Sequence, residues 1–545
     1  MTQSHPSRRS RAAVIGSAGV LALAGSVVAA LPAAAGGNAC ENRNNNTVAK
    51  LTECVTVDGV TQHLQALQDI ATANGGTRVS GSPGYTASAD YVTGQLEASG
   101  YTVTRQQFEF PFFEQTAPSS FSRVSPTATT YVEGTDYAVA TYSGSGELSG
   151  TIQAVDVTIP PVGASNGNTS GCESADFAGF TPGNIALVQR GTCAFGIKVQ
   201  NAVAAGAAGV VIFNEGQPGR DILLQPTLGA PIEDAVPVVG VSYATGVEFA
   251  SAPTVVAFDI QTISEVRETE NVIAELRGRT GDNVVMAGAH LDSVAAGPGI
   301  NDNGSGSAAI LEVAQNIAKT KPQNTVRFAW WGAEEYGLLG SNYYVSQLSE
   351  QQVADIGLYL NFDMVGSPNF ARFIYDGDQS AFTAPVTVPE GSDQIEYVLE
   401  DYFERRQLPY EATEFSGRSD YQAFILAGIP SGGLFTGAEG VKTPEQAADY
   451  GGQAGVAYDP NYHQVGDTLA NVNRVALDTN SDAIAYAVLT LAYDTSRVNG
   501  VTGQPVPGGT FQGDPADRDF RQPAGLETGG GGLAHDHEHS HGDAV

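Results

Sequence analysis

The chain has 545 residues, of which 42% are hydrophobic, and a formal net charge of −33 at pH 7. That length predicts more than one folded unit, and the apolar content is ample for true cores. So acidic a surface repels nucleic acid and anionic membranes, which excludes both as partners, and it favours solubility and cation binding.

Residues 1–35 carry Arg8, Arg9 and Arg11, then an apolar Ala/Val/Leu/Gly run, then small residues. This is the layout of a secretory signal, so a secreted, extracellular protein is expected. No later segment is long and apolar enough to span a bilayer. The four cysteines are Cys40, Cys54, Cys172 and Cys193, and an even count in an exported chain predicts two disulfides. Three pairings are possible; sequence neighbours, Cys40–Cys54 and Cys172–Cys193, are the simplest. Residues 36–56 read as a disulfide-tied lead-in.

Apolar residues recur at helical spacing over 60–73, and a second helix is predicted over 85–98. Residues 101–110 alternate as a strand. From about 115 to 265 the chain is rich in Gly, Pro, Val and Ala. Short strands at 184–188 and 209–213 flank a small-residue helix at 198–207, a separate compact α/β unit. Strand pattern resumes at 271–276. It is followed by strand 284–287, helix 307–318, strand 325–330, helix 340–348 and strand 357–362. The fold class is therefore α/β, a mostly parallel mixed sheet flanked by helices, interrupted by a smaller inserted domain. Residues from 499 onward lack periodicity and are rich in Gly, Pro and Asp, as in a disordered tail. Its four histidines, His535, His537, His539 and His541, are of a kind that binds zinc or nickel loosely.

With His5 in the leader and four histidines in the tail, the body of the chain holds only His63, His290 and His463. His63 lies on a predicted helix and reads as structural. The other two lie in segments rich in carboxylates: GAHLDS, GINDNG, WGAEE, NFDM and YH, which mostly end strands, where open α/β sheets place their sites. The two oxygens of Asp302, in a Gly/Asn-rich loop, can bridge two cations. His290 and Asp363 can complete one shell, and Glu335 with His463 the other. Mixed imidazole and carboxylate ligands, three per ion, suit zinc with an open position for water. Glu334 is adjacent to a ligand without being needed as one, the place for a general base. Asp292, two residues past His290, can orient that imidazole.

The stretches GAHLDS, GINDNGSGSAA, RFAWWGAEE, YLNFDMVGSP, GRSD, GGLFTGAE, YH and ALDTNSD resemble those of secreted di-zinc leucine aminopeptidases, of the bacterial aminopeptidase S and vacuolar aminopeptidase Y kind. The resemblance implies a zinc-peptidase, phosphorylase/hydrolase-like catalytic domain over 57–130 and 266–498. It implies two zinc ions on His290, Asp302, Glu335, Asp363 and His463, with Glu334 as base and Tyr462 as donor to the oxyanion. It places Arg418 beside the substrate, with Met364 and Phe435 lining an apolar pocket for the N-terminal side chain. Asp478 and Asp482 match a calcium site, although the family's N-terminal calcium ligand has no clear counterpart. In close relatives a disulfide loop encloses the Tyr-His pair; Asn461 and Gly466 replace those cysteines, so the loop is either more mobile or held by other contacts. NIALVQRGTCAFGIKVQNAVAAGAAGVVIFN and VPVVGVS resemble a protease-associated (PA) domain, over 131–265, read as a lid or substrate gate. The implied activity is a monomeric exopeptidase acting on peptide or protein N-termini, favouring large apolar residues such as Leu. The alternatives are a glutamate-carboxypeptidase-like peptidase, a glutaminyl cyclase or a non-catalytic receptor-like relative.

Overall fold

The computed structural model of the protein describes residue 40 and residues 42–509. The expected leader, part of the lead-in, and the tail from 510 with its four histidines lie outside the described residues. No helix among the described residues is long and apolar enough to cross a membrane.

Two eight-stranded sheets organise the chain. The first runs, edge to edge, Thr102–Gln115, Thr262–Leu276, Thr325–Trp331, Val284–His290, Ile356–Phe362, Ser431–Phe435, Phe373–Tyr375 and Glu411–Thr413. Its four central strands, from Thr325–Trp331 to Ser431–Phe435, are mutually parallel. They are buried along nearly their whole length, as strands covered by helices on both faces must be. On one face the helices Val57–Ala73, Gly304–Ile317 and Arg474–Tyr493 pack into a single core with Val285, Ala287, Phe328 and Leu360. Trp331, Tyr359 and Phe424 fill the other face. His63 is a core histidine, hydrogen-bonded to Tyr91 at 2.7 Å and Gln315 at 3.1 Å.

The outer strands are longer than their sequence pattern predicts. Thr102–Gln115 and Thr262–Leu276 pair antiparallel from Thr102–Glu275 to Gln115–Thr262. Phe108, Phe110 and Phe112 alternate onto one face of this ribbon and bury against Tyr336, Tyr343 and Ala333. That packing sets the ribbon under the turn that carries Glu334 and Glu335. The ribbon leads directly into the second sheet, which begins at Ser120–Ser125 and ends at Val255–Ile260. Its parallel core of Gly146–Ala154, Ile185–Gln189, Gly209–Phe213 and Val238–Val241 has hydrophobic clusters on both faces. Thr262 Oγ1 donates to Ser143 O and Ser264 Oγ to Tyr142 O, tying the second sheet to the ribbon.

Cys172 and Cys193 form a disulfide; Cys40 and Cys54 are also oxidised, and no cysteine is free. Where composition predicts tail from 499, the first residues instead pack down. Val501 bridges Thr495, Gly503 N–H donates to Asp494, and Val506 is buried in the main core. Long-range contacts of this kind leave no local periodicity to read.

Candidate metal centre and active site

Each ligand-type side chain is set by a strand end or a pinned loop. His290 closes its strand, Glu334 and Glu335 follow Thr325–Trp331, and Asp363 follows Ile356–Phe362. These parallel strand ends open onto one crevice. Asp302 sits between His290 and the helix Gly304–Ile317, which begins three residues earlier than its periodicity predicts because Asn303 caps it, accepting from Gly306 N–H at 2.9 Å. The same Asn303 donates to Phe362 O and accepts from Met364 N–H, so it staples the Asp302 loop to the Asp363 turn. Gly306 has to be glycine there, since a Cβ would lie 2.1 Å from Phe362 O.

The five sequence-predicted ligands converge. Asp302 Oδ1 lies 3.2 Å from His290 Nε2, while its Oδ2 lies 3.2 Å from His463 Nε2. His290 Nε2 is 3.4 Å from Asp363 Oδ1, and His463 Nε2 is 3.1 Å from Glu335 Oε2. The result is two three-residue clusters, His290/Asp302/Asp363 and Asp302/Glu335/His463, sharing one carboxylate. Glu334 Oε2 stands 3.8 Å from His290 Nε2. Asp292 faces the other imidazole nitrogen: its backbone oxygen is 3.3 Å and its carboxylate 3.6 Å from His290 Nδ1.

The donor set fits divalent cations. Asp363 Oδ1 and Glu335 Oε1 are buried with no hydrogen-bond partner. Orphaned buried carboxylate oxygens are costly unless a cation meets them. Asp363 Oδ2, by contrast, accepts from Ser419 Oγ at 2.6 Å, which turns Oδ1 toward the cluster. Without a cation the acids and imidazoles share protons. Burial alone would lower His290, but Glu334 and Asp363 outweigh it and hold it well above the ordinary imidazole value. His463 likewise stands at about 11 because Glu335 and Asp302 outweigh its burial. Burial raises Glu335 to about 7, and the two histidines hold Asp302 far below the usual carboxylate range. A bound cation would displace those protons.

Burial also raises Glu334 well above the usual carboxylate range, against the pull of His290. Tyr462, pushed well above its ordinary value by burial and then by Asp302 and Glu335, stays a hydroxyl donor at neutral pH. Its ring stacks on His463 at 3.8 Å, and its hydroxyl accepts from Arg418 Nη2 at 3.4 Å. Arg418 in turn pairs with Glu439 at 2.6 Å. Met364 and Phe435 line the cleft over the cluster together with Tyr375 and Ala438, as do Arg418 and Tyr462.

Three non-glycine residues in this ligand set have left-handed backbones: Ala333 at φ 53°, Met364 at φ 49° and His463 at φ 56°. His463 is itself a candidate ligand, Met364 follows the candidate ligand Asp363, and Ala333 precedes Glu334; such conformations persist only where the surroundings enforce them.

Sequence reasoning missed residues that hold the loops of the site. Arg78 is fully buried, and its guanidinium donates to the carbonyls of Leu291, Pro298 and Gly299, holding the loop between His290 and Asp302. Burial pushes Arg78 down to about 10, with Asp292 the largest opposing charge. Its position in TRVSG, more than 200 residues before the loop, offers no local signal. Arg78→Ala should destabilise the protein by about 3 kcal/mol, because three carbonyls lose their donors inside the core. Arg78→Lys should recover little of this, since one ammonium cannot span the fork. Thermal or urea unfolding of the two variants checks both.

Asp478 and Asp482 do share one face of the helix Arg474–Tyr493, but Asp482 pairs with Arg406 at 3.4 Å. Among the described residues no third acid joins them in a metal-type cluster.

Residues 271–488 match peptidase family M28, and residues 151–249 match the PA domain. The chain is 48% identical over 451 residues to an aminopeptidase of Pseudomonas aeruginosa (strain UCBPP-PA14), covering 82% of this chain and 83% of that one. It is 44% identical over 415 residues to leucine aminopeptidase 2 of Trichophyton rubrum, covering 75% and 79%. Among solved structures it is similar to an aminopeptidase from Aneurinibacillus sp. strain AM-1, with TM-score 0.57 and 25% identity, covering 83% of this chain and 96% of that one. With 48% identity across most of both chains to the Pseudomonas aminopeptidase, and with the family match over residues 271–488, the chain belongs to peptidase family M28 and carries a PA domain.

Proposed function

We propose that this peptidase is a secreted, two-zinc aminopeptidase that removes large apolar residues such as Leu from peptide or protein N-termini. One observation carries the reading: Asp302 presents its two oxygens to different histidines, so two complete three-ligand sets share one bridge. The reading takes 57–130 and 266–498 as the catalytic domain and 131–265 as an inserted module. The Pseudomonas and Trichophyton relatives support aminopeptidase activity, the latter a preference for leucine.

When bound, two zinc ions would polarise the scissile carbonyl and lower the pKa of the attacking water toward about 7. Glu334 takes the proton from that water and returns it to the departing amine. Tyr462 donates its hydroxyl to the oxygen on which negative charge develops. The carboxylates of Glu334 and Asp363 hold the free α-ammonium of the substrate, and Met364, Tyr375 and Phe435 receive its first side chain. A carboxypeptidase-like reading asks for a basic pocket, yet Arg418 is the single Lys or Arg among the described residues lining the cleft, and Glu439 already pairs with it. A receptor-like role would have no use for either ligand set.

The test is a panel of free and N-acetylated aminoacyl substrates, with and without chelator. Leucyl substrates should be cleaved fastest, acetylated ones not at all, and zinc should restore activity after chelation. Equal rates on blocked and free substrates would sink the reading.

A further inference from the structure

The segment carrying Tyr462 and His463 has no strand or long helix of its own, and Val465 at its tip is 77% exposed. Yet His463 must hold a left-handed backbone with Nε2 3.2 Å from Asp302. Something has to tie this loop to the Asp302 loop.

The tie is a buried web of amides and carboxylates. Asp467, 2% exposed, accepts from the backbone N–H of Asn301 at 2.8 Å and of Asp302 at 3.0 Å. Asp459, 1% exposed, accepts from Asn301 Nδ2 at 2.7 Å and from Asn461 N–H at 2.8 Å. Asn471 joins the two acids. Its Nδ2 donates to both Asp459 oxygens at 2.9 Å and reaches Asp467 Oδ1 at 3.4 Å. Its Oδ1 accepts from Asn461 Nδ2 at 2.6 Å. In this orientation the Asn471 amide nitrogen faces the two acids and its oxygen faces Asn461 Nδ2. One side chain thus links both ends of the Tyr462–His463 loop to each other and, through the acids, to the bridging ligand.

We infer that Asn471 is a positioning residue of the metal centre, fixing the Tyr462–His463 loop against Asp302 by hydrogen bonds where a covalent clasp across the loop would serve equally. The geometry of such a clasp is present. A Cβ built on Gly466 would lie 3.5 Å from Asn461 Cβ, within the Cβ–Cβ range of disulfides. The three atoms nearest to it all belong to the Asn461 side chain, and Gly466 does not have a positive φ. The inference rests on the two-metal reading for its effect on zinc, but its effect on loop motion does not.

The experiment compares wild type, Asn471→Ala, and Asn471→Ala combined with Asn461→Cys and Gly466→Cys. Two readouts besides activity are used: zinc affinity by chelator competition and hydrogen exchange of peptides spanning 459–471. In Asn471→Ala the weaker zinc equivalent should lose about 10–100-fold in affinity, and amides of 459–467 should exchange at least about tenfold faster. The cysteine pair, checked by mass as oxidised, should restore slow exchange and zinc affinity together. Unchanged exchange and affinity in Asn471→Ala, or an oxidised pair that restores neither, would overturn the inference. If Asn471→Ala does not fold, Asn461→Ala tests the same clasp from its half-buried end: smaller shifts in the same direction support it, and none overturns it. A wild type without zinc-dependent activity would refute the aminopeptidase reading while leaving the exchange result to decide this one.

Discussion

Replacing Glu334 with Gln should reduce kcat by about 10²–10⁴-fold while zinc content and unfolding temperature stay near wild type. The backbone argument makes this variant safe to read. Glu334 N–H donates to Asp292 Oδ1 at 3.2 Å, and Glu334 O accepts from Gly337 and Leu338 N–H at 2.8 Å. None of these contacts uses the carboxylate, so the turn behind Ala333 survives the change. Glu334 falls outside both clusters built around Asp302, so neither needs its oxygen for a complete ligand set. Gln keeps the size and can still hydrogen-bond, but it cannot accept and return a proton. Steady-state kinetics with metal analysis check the prediction. A loss of zinc in parallel with activity would make Glu334 a ligand, and a drop under tenfold would remove it from proton transfer.

Replacing Asp302 with Ala should remove both metal equivalents and lower kcat/KM by more than about 10³-fold, whereas Asp363→Ala should weaken chiefly one equivalent. The asymmetry follows from position, since Asp302 belongs to both clusters and Asp363 only to that of His290. Losing the bridge also leaves His290 and His463 each facing a single acid fewer, in a centre that is almost fully buried. Metal stoichiometry after dialysis distinguishes the cases. Retention of one tight equivalent in Asp302→Ala would show that the two sites are built independently.

The residues that converge at the candidate site were legible in the sequence because each announces itself locally. His290, Glu334, Glu335 and Asp363 follow apolar runs that end a strand, and Asp302 sits in a glycine-rich turn. The scarcity of histidine in the body of the chain then singles out His463. The supporting residues were not legible. Arg78 meets Leu291 across 213 positions, and Asn301 meets Asp467 across 166. Asn303, Asp459 and Asp467 work through backbone groups and Asn471 through the side chains of Asn461, Asp459 and Asp467, and nothing in their spacing says which partners they will find. The same limit explains the strands read too short: the pairing of Thr102–Gln115 with Thr262–Leu276 supplies order that alternation alone does not encode. Asn461 and Gly466, where the resemblance implies a disulfide, posed a choice between mobility and other contacts, and the web around Asn471 supplies the contacts.

The ribbon has an evolutionary and practical corollary. The chain departs toward the PA domain at Gln115 and comes back at Thr262, and those two residues face each other across the ladder. An insertion placed there adds length at the free end of a hairpin and disturbs no register beneath it. The whole module therefore occupies the place of a β-turn, and a short turn peptide is all that its excision would have to replace.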